Sequence, residues 1–434
     1  MIVDIKIYRK ILLYLISFLP PALVTGPFLP DLFVVLSGFI LLFICWKRKL
    51  WIMFNNNFTK FFILFYIYLI VNSLFSNQVL YSLETSFPFI RFLFLIISIK
   101  YLADTEKNFY KIFFCITLFT IVFLFLDSTF EFLLGWHWLF DKNTYPEFFA
   151  HYRISSLFDE EYILGSFFVR IYPIFLCLFL YFMNKISKKN IFGFNYFYFI
   201  FFINILFLFP ILYSGERLSI FMYLAINILI CINFKNILKS IYFIVFLIFL
   251  TFLIIFNNEV FFKRFISHTY HSFTGKLESK INSETNMVEQ PIKTFKIFSS
   301  EHQSHVIIAY NMFLDRPILG HGIRMYRKVC ETPKYYLGER SCTTHPHNIL
   351  AQFISELGIV GFLFYLFFFI WILYKFFIIF YFPIISNIFE KVLLSSILVY
   401  IFPLAPAGNF FNNWMEIIFF LPLGFYLSKN NFYK

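Results

Sequence analysis

Apolar residues run along this chain in stretches of about 20, the length an α-helix needs to cross a hydrocarbon layer of about 30 Å. They fall near residues 11–27, 29–46, 61–76, 86–103, 109–126, 160–183, 194–213, 217–234, 239–257, 346–374, 391–405 and 411–428. None alternates with the two-residue period of a barrel strand, and a backbone in lipid must satisfy its hydrogen bonds internally, so all are predicted as helices. The fold expected is all-α, a polytopic membrane protein of about twelve transmembrane helices. Pro20-Pro21 predicts a kink in the first stretch. The basic start resembles a secretory signal, but no small-residue cleavage site follows, so that helix is expected to be retained.

Composition agrees: 60% of the 434 residues are hydrophobic, Phe alone numbers 72, and only 14% are charged, against about 25% in soluble domains. The net charge of +12 is spread by position. Lys6, Arg9 and Lys10 come first, followed in every second connection by Lys47, Arg48, Lys49 and Lys60, by Lys107 and Lys111, and by Lys185, Lys188 and Lys189. Lys235 and Lys239, Lys375 and Lys391, and Lys429 and Lys434 complete the series. Basic loops stay on the cytoplasmic side, so both termini are expected there. The charge is thus a topology signal, and no nucleic-acid partner is expected.

This topology leaves two long connections on the outer side, 127–159 and 258–345. The chain then divides into nine helices over 1–257, a large outer loop over 258–345 expected to form a mainly helical cap, and three helices over 346–434. The stretch TGKLESKINSETNMVEQPIK in the large loop is expected to be mobile. Cys330 and Cys342 lie in the same loop, where an oxidising space favours a disulfide. Cys45, Cys115, Cys177 and Cys231 fall in apolar stretches and read as buried small hydrophobes.

Ionisable groups in or beside lipid are costly and point to function or to internal pairing. Arg91 and Arg170 are expected to pair inside the bundle. Arg217, in LYSGERLSIF, follows a Ser214-Gly215 break and opens a helix. It is placed to grip a phosphate bidentately, with pairing to Glu216 or anchoring at the interface as the plainer readings. Residues Thr344 to Phe362, THPHNILAQFISELGIVGF, put His345, Pro346, His347 and Asn348 just before an apolar run. His347 is then expected near the first turn of a helix, wet enough to exchange protons and close to lipid. Gly358 and Gly361, three apart, read as close helix packing. Asp159, Glu160 and Glu161 form an acidic run able to bind a metal or simply to hydrate a loop.

His347-Asn348, nine residues, Gly358, two residues, Gly361 is similar to the signature of the O-antigen ligase superfamily, which groups lipopolysaccharide O-antigen ligases with O-antigen polymerases. MFLDRPILGHGIRMYR, RISSLFDEEYILGSFF, SGERLS and APAGNFFNNWMEIIFFLPLGF also resemble family segments, in order. The second departs from the pattern, with Glu160 and Glu161 near the place of the usual Pro-Asn.

The resemblance implies a membrane-embedded glycosyltransferase that moves a glycan from undecaprenyl pyrophosphate to a sugar hydroxyl of lipid A-core, at the periplasmic face of the inner membrane, without metal or cofactor. Arg217 matches the family's central-helix arginine, and Arg264 stands where the family carries a loop arginine. Arg153 is a third candidate at the mouth. With Asn348 and His345, Arg264 and Arg153 make up the expected substrate-binding set, and His347 and Arg217 the catalytic pair. His347 acts as general base or holds the acceptor hydroxyl in line, with His345 as fallback. A polymerase joining lipid-linked repeats is the alternative within the family. A transporter or a non-catalytic assembly factor are the alternatives outside it, and a carrier requires its polar groups to run through the midplane.

Overall fold

The computed structural model describes residues 5–135, 137, 139, 153–159, 161–187, 196–232, 237–274, 299–338, 341–381 and 388–428. Trp136, Trp138, Glu160, Lys188, Lys189, Lys235, Lys429, Lys434 and the expected mobile stretch after Thr274 lie outside these residues. The described residues form helices and no strand.

A helix overlaps each expected apolar stretch. Among the described residues, six are long and apolar enough to cross a membrane on their own: Phe28–Arg48, Asn57–Leu74, Val79–Thr105, Phe109–Leu134, Leu164–Met183 and Ile349–Ile379. Ile200–Tyr213, Arg217–Ile232 and Asn413–Leu427 are apolar but shorter. The first helix, Ile5–Ser17, ends before Pro20-Pro21, and a short turn Leu19–Ala22 carries the chain on. Of the four cysteines assigned to helix interiors, Cys115 is the correction: it is exposed, because it lies on the outward face of Phe109–Leu134. Cys330 and Cys342 are joined as a disulfide.

Two short helices make the centre. Ile388–Tyr400 is buried along almost its whole length and packs against Arg217–Ile232, Leu164–Ser187 and Ile349–Tyr381. Asn413–Leu427 lies along Arg91–Thr105. Apolar residues on every side suit them to this position, since a helix that is hydrophobic all round must be covered all round. Between them residues 401–412 are not helical. Irregular backbone at this depth is tolerated only where protein or a cavity surrounds it.

The glycines of the His-Asn segment work differently from expected. Gly358 is not a packing position on a continuous helix: at φ +63° it interrupts Ile349–Tyr381. The backbone groups freed there are taken up by the stretch that holds the Gly320-His321-Gly322 motif. Ile359 N donates to Pro317 O (2.7 Å), Gly322 N to Glu356 O (2.8 Å) and His321 N to Ser355 O (3.1 Å). Asn72 Nδ2 donates to Glu356 O (3.2 Å) and to Leu319 O. A Cβ on Gly320 would meet the Glu356 carbonyl, and one on Gly358 would run into the Ile318 carbonyl. The two motifs therefore interlock through backbone, and only glycine permits the approach.

Gly358→Ala is expected to lower the melting temperature in detergent more than Gly338→Ala. Both replace a glycine at positive φ, worth about 1–3 kcal/mol, but a Cβ at Gly338 meets nothing within 4 Å.

Candidate functional site

The Ser214-Gly215 break is the first element of the site. Gly215 takes φ +64° and turns the chain between Tyr196–Tyr213 and Arg217–Ile232. Ser214 Oγ donates to Ile211 O (2.7 Å) and accepts from Glu216 N (3.2 Å), which closes the turn. Glu216 is held from two sides. Ser166 donates to its carboxylate through N (3.1 Å) and Oγ (2.6 Å), and Ser219 through Oγ (2.9 Å). Gly165 allows this contact, because a Cβ there would run into Ser214 Oγ.

Arg264 arrives from a bent helix. Ile241–Asn257 and Glu259–His271 meet at 99°. Asn258 caps the second arm, its Oδ1 accepting from Val260 N (3.0 Å) and Phe261 N (3.2 Å). A π-helical turn over Phe262–Ser267 then carries Arg264, whose Nε donates to Gly215 O (2.9 Å). Arg217 Nη1 donates to Thr269 Oγ1 (3.3 Å) on the same arm.

Arg153 Nη2 donates to Tyr162 O (2.7 Å), and its guanidinium lies over the Tyr162 ring. Burial pulls its pKa down, while the Glu216 charge opposes that and Arg217 adds to it. A buried network fixes this loop. Leu139 N donates to His137 Nδ1 (3.2 Å), so the ring proton sits on Nε2 and faces Asp127 Oδ2 (3.0 Å). Ser156 donates through N to Glu131 (2.8 Å) and through Oγ to Asp127. Asp127, Glu131 and His137 are the metal-capable ligand atoms gathered within 4.8 Å among the described residues. They do not line the cavity described next, and their contacts serve Ser156, three residues from Arg153. Asp159 and Glu161, the described members of the expected acidic run, are exposed.

Arg153, Arg217, Arg264, Glu216 and His347 all line one open cavity of about 660 Å³. Thr269, Ser299 and His302 add polar groups, Leu218, Phe221, Phe402 and Leu404 an apolar flank, and residues 405–408 the backbone of the opposite wall. Arg91 and Arg170 are elsewhere, as their expected pairing requires. Arg91 meets Asp31 (2.7 Å) and Asn413 Oδ1 (2.7 Å), and Arg170 meets Ser166 O (3.2 Å) and the Tyr400 ring.

His347 lies two residues before the helix Ile349–Tyr381, near its first turn as expected. It has φ +51°, a left-handed conformation unusual for a side chain with a Cβ, and its carbonyl accepts from Ala407 N (2.8 Å). Asn348, expected among the substrate-binding residues, does not line the cavity. Its Oδ1 caps the helix by accepting from Ala351 N (2.9 Å), while its Nδ2 donates to Pro403 O (2.7 Å) and Ala405 O (3.2 Å). It thereby holds the wall segment in place. His345 is buried behind His347, ring centroids 4.1 Å apart, and also does not line the cavity. Burial pulls His347 down to about 3 and His345 to about 4, with the neighbouring imidazoles pulling the same way. His347 is therefore a neutral imidazole near pH 7. His302 and His305 complete the group, and the sequence carries a signal for them: EHQSH places two histidines three apart on one helix face.

Gly165→Ala is expected to push the Ser214 turn away and lower the melting temperature. Adding Ser214→Ala removes the clashing oxygen, leaves Ser214 Cβ at 3.1 Å, and should recover part of the loss.

A family model described as O-antigen ligase matches residues 202–366. No curated protein matches the chain at a significant level. The matched stretch holds Arg217, Arg264, His345, His347 and Asn348 and leaves Arg153 outside it, and with its run of apolar helices the chain is a multi-pass membrane protein whose residues 202–366 are similar to the O-antigen ligase family.

Proposed function

We propose that the protein transfers a glycan from undecaprenyl pyrophosphate to a sugar hydroxyl of lipid A-core, without a metal, at the periplasmic face of the inner membrane, with both termini cytoplasmic. The observation that carries this reading is the convergence of Arg153, Arg217 and Arg264 with His347 on one cavity that also has an apolar flank. The basic connections support the sidedness.

The hydroxyl oxygen attacks the anomeric carbon of the donor sugar, the bond from that carbon to the pyrophosphate oxygen breaks, and the polyprenyl pyrophosphate leaves. The hydroxyl proton goes to His347, whose neutral ring makes no hydrogen bond to protein among the described residues and is open to the cavity. Charge growing on the leaving oxygen meets guanidinium groups already in place, so little reorganisation is needed as the bond breaks. Arg217 and Arg264 serve this role best, Arg217 tied to Thr269 on the bent helix and Arg264 to the Gly215 carbonyl in the turn before Arg217, and Arg153 adds charge from the third side. The apolar flank of Leu218, Phe221, Phe402 and Leu404 suits the prenyl chain. Polar groups gathered at one cavity favour an enzyme over a carrier.

His347→Ala and Arg217→Ala, at unchanged abundance in the membrane, are each expected to lower transfer by about 100-fold or more. Arg217→Lys should restore little, because a point charge cannot reproduce the planar fork. A chelator should leave the rate unchanged, and loss of activity restored by a divalent ion would move catalysis to a metal. In a deletion strain, gel analysis should show unmodified lipid A-core with long glycan accumulating on the carrier. Core capped by a single repeat unit would establish a polymerase instead.

A further inference from the structure

A second group of cations lies apart from the cavity. Arg316, Arg324 and Lys328 all reach across to one short helix, Val79–Ser86, and the turn before it. Arg316 Nη2 donates to Asn77 Oδ1 (2.6 Å) and Arg324 Nη1 to Thr85 Oγ1 (3.2 Å). Between these contacts lies Tyr81, with the Arg324 guanidinium 4.9 Å and the Lys328 ammonium 5.3 Å from its ring centre. The three cations thus form a row along one side of the helix. A guanidinium carries more N–H donors than these contacts use, so a fork remains for a ligand. Among the described residues none of the three pairs with a carboxylate, and the neighbouring Asp315 is taken by Lys334 (2.7 Å) and Tyr335. Glu84, on the same helix, is exposed and pairs with none of them.

The row lies at the level of a membrane surface. Val79–Thr105 has 27 residues, more than the about 20 a crossing needs, so its first turns extend into the headgroup layer. Phe75, Leu80 and Phe87 beside the row are exposed, as side chains that face lipid are. The segment that carries the cations touches the cavity histidines from its other side: Tyr326 OH donates to His305 O (3.2 Å), and the His305 ring lies 5.3 Å from that of His347. Arg324 is also held in an unusual pose, at φ +62°, a costly conformation for a residue with a Cβ. The interlock imposes it, with Gly322 N donating to Glu356 O (2.8 Å) and Tyr326 N to Glu356 Oε1 (3.1 Å). Basic residues gather on the cytoplasmic side, so on the proposed topology this row is not a sidedness signal and calls for an anion of its own. Cations set above exposed apolar side chains match lipid phosphates, and three of them exceed the charge of a single phosphodiester.

We propose that Arg316, Arg324 and Lys328 form a docking surface for the phosphate groups of a diphosphorylated membrane lipid, and that this lipid is the lipid A anchor of the acceptor. Naming the acceptor rests on the function proposed above. The anchor is then held on one side of residues 324–328 while the sugars extend to His347 on the other.

The test is native mass spectrometry of the full-length protein in detergent, with lipid A in its diphosphoryl and monophosphoryl forms as probes. The diphosphoryl form is expected to bind more tightly, and Arg324→Gln combined with Lys328→Gln to weaken it about 30-fold, with a smaller change for the monophosphoryl form. Arg217→Ala, in the cavity, should leave the preference intact. Melting temperature and elution volume confirm folding, and Arg316→Gln, at the end of the row, is a milder variant that should shift affinity in the same direction. Equal binding of both forms, equal binding of phosphatidylglycerol, displacement by millimolar inorganic phosphate, or wild-type affinity in the folded variants each overturns the surface. In the transfer assay the double variant should raise KM for the diphosphoryl acceptor by the same factor and leave kcat unchanged, and an unchanged KM would refute the link to the acceptor. Wild-type protein that binds the lipid yet transfers nothing to lipid A-core would refute the proposed function and leave the surface standing.

Discussion

Three guanidinium groups around one cavity repel each other, and the arrangement depends on what holds them there. Glu216 is the carboxylate that lines the same cavity, and Ser166 and Ser219 keep it in position with three hydrogen bonds. Arg264 leans on the Gly215 carbonyl and Arg217 on Thr269, so the central-helix turn and the bent helix lock each other. Among the described residues lining the cavity, three guanidinium groups meet one carboxylate, a charge balance that suits the anionic donor proposed above.

Backbone hydrogen bonding is what puts His347 opposite those charges. The segment 401–412 has no helical ladder of its own, and its wall residues are pinned instead by Asn348 Nδ2 and by the carbonyl of His347. The left-handed conformation of His347 costs about 1–2 kcal/mol, offset by that bond to Ala407 and by the cap Asn348 provides for the following helix. Ten residues further on, Gly358 interrupts the same helix and hands its open backbone groups to residues 317–322. Irregular segments thus complete each other inside an apolar bundle, where an unpaired amide would be costly.

Hydropathy alone placed a helix in each expected stretch, because in lipid the period and length of an apolar run leave the backbone one economical conformation. Arg217 and His347 were also legible as candidates, since a charged or proton-handling residue at a helix end in so apolar a chain stands out against its surroundings, whereas Arg264 and Arg153 entered only through the family resemblance. Other features were not. His302 and His305 were passed over, although three-residue spacing marked them, because nothing local ties them to a histidine some 40 positions later. Asn348 looked like a substrate ligand by its adjacency to His347, while its side chain in fact serves the helix cap and the wall.

What the sequence by itself determined is therefore one-dimensional: which segments are helices, where they break, and which polar residues sit at their ends. What only the tertiary structure decided is which ends meet. Gly215 and Arg264 are 49 residues apart and His347 and Ala407 are 60 apart, joined in each case by a single backbone carbonyl. A carbonyl is carried by every residue, so no residue type advertises such a contact. Only the packing of the bent helix and the irregular 401–412 segment shows which carbonyls are left for distant partners.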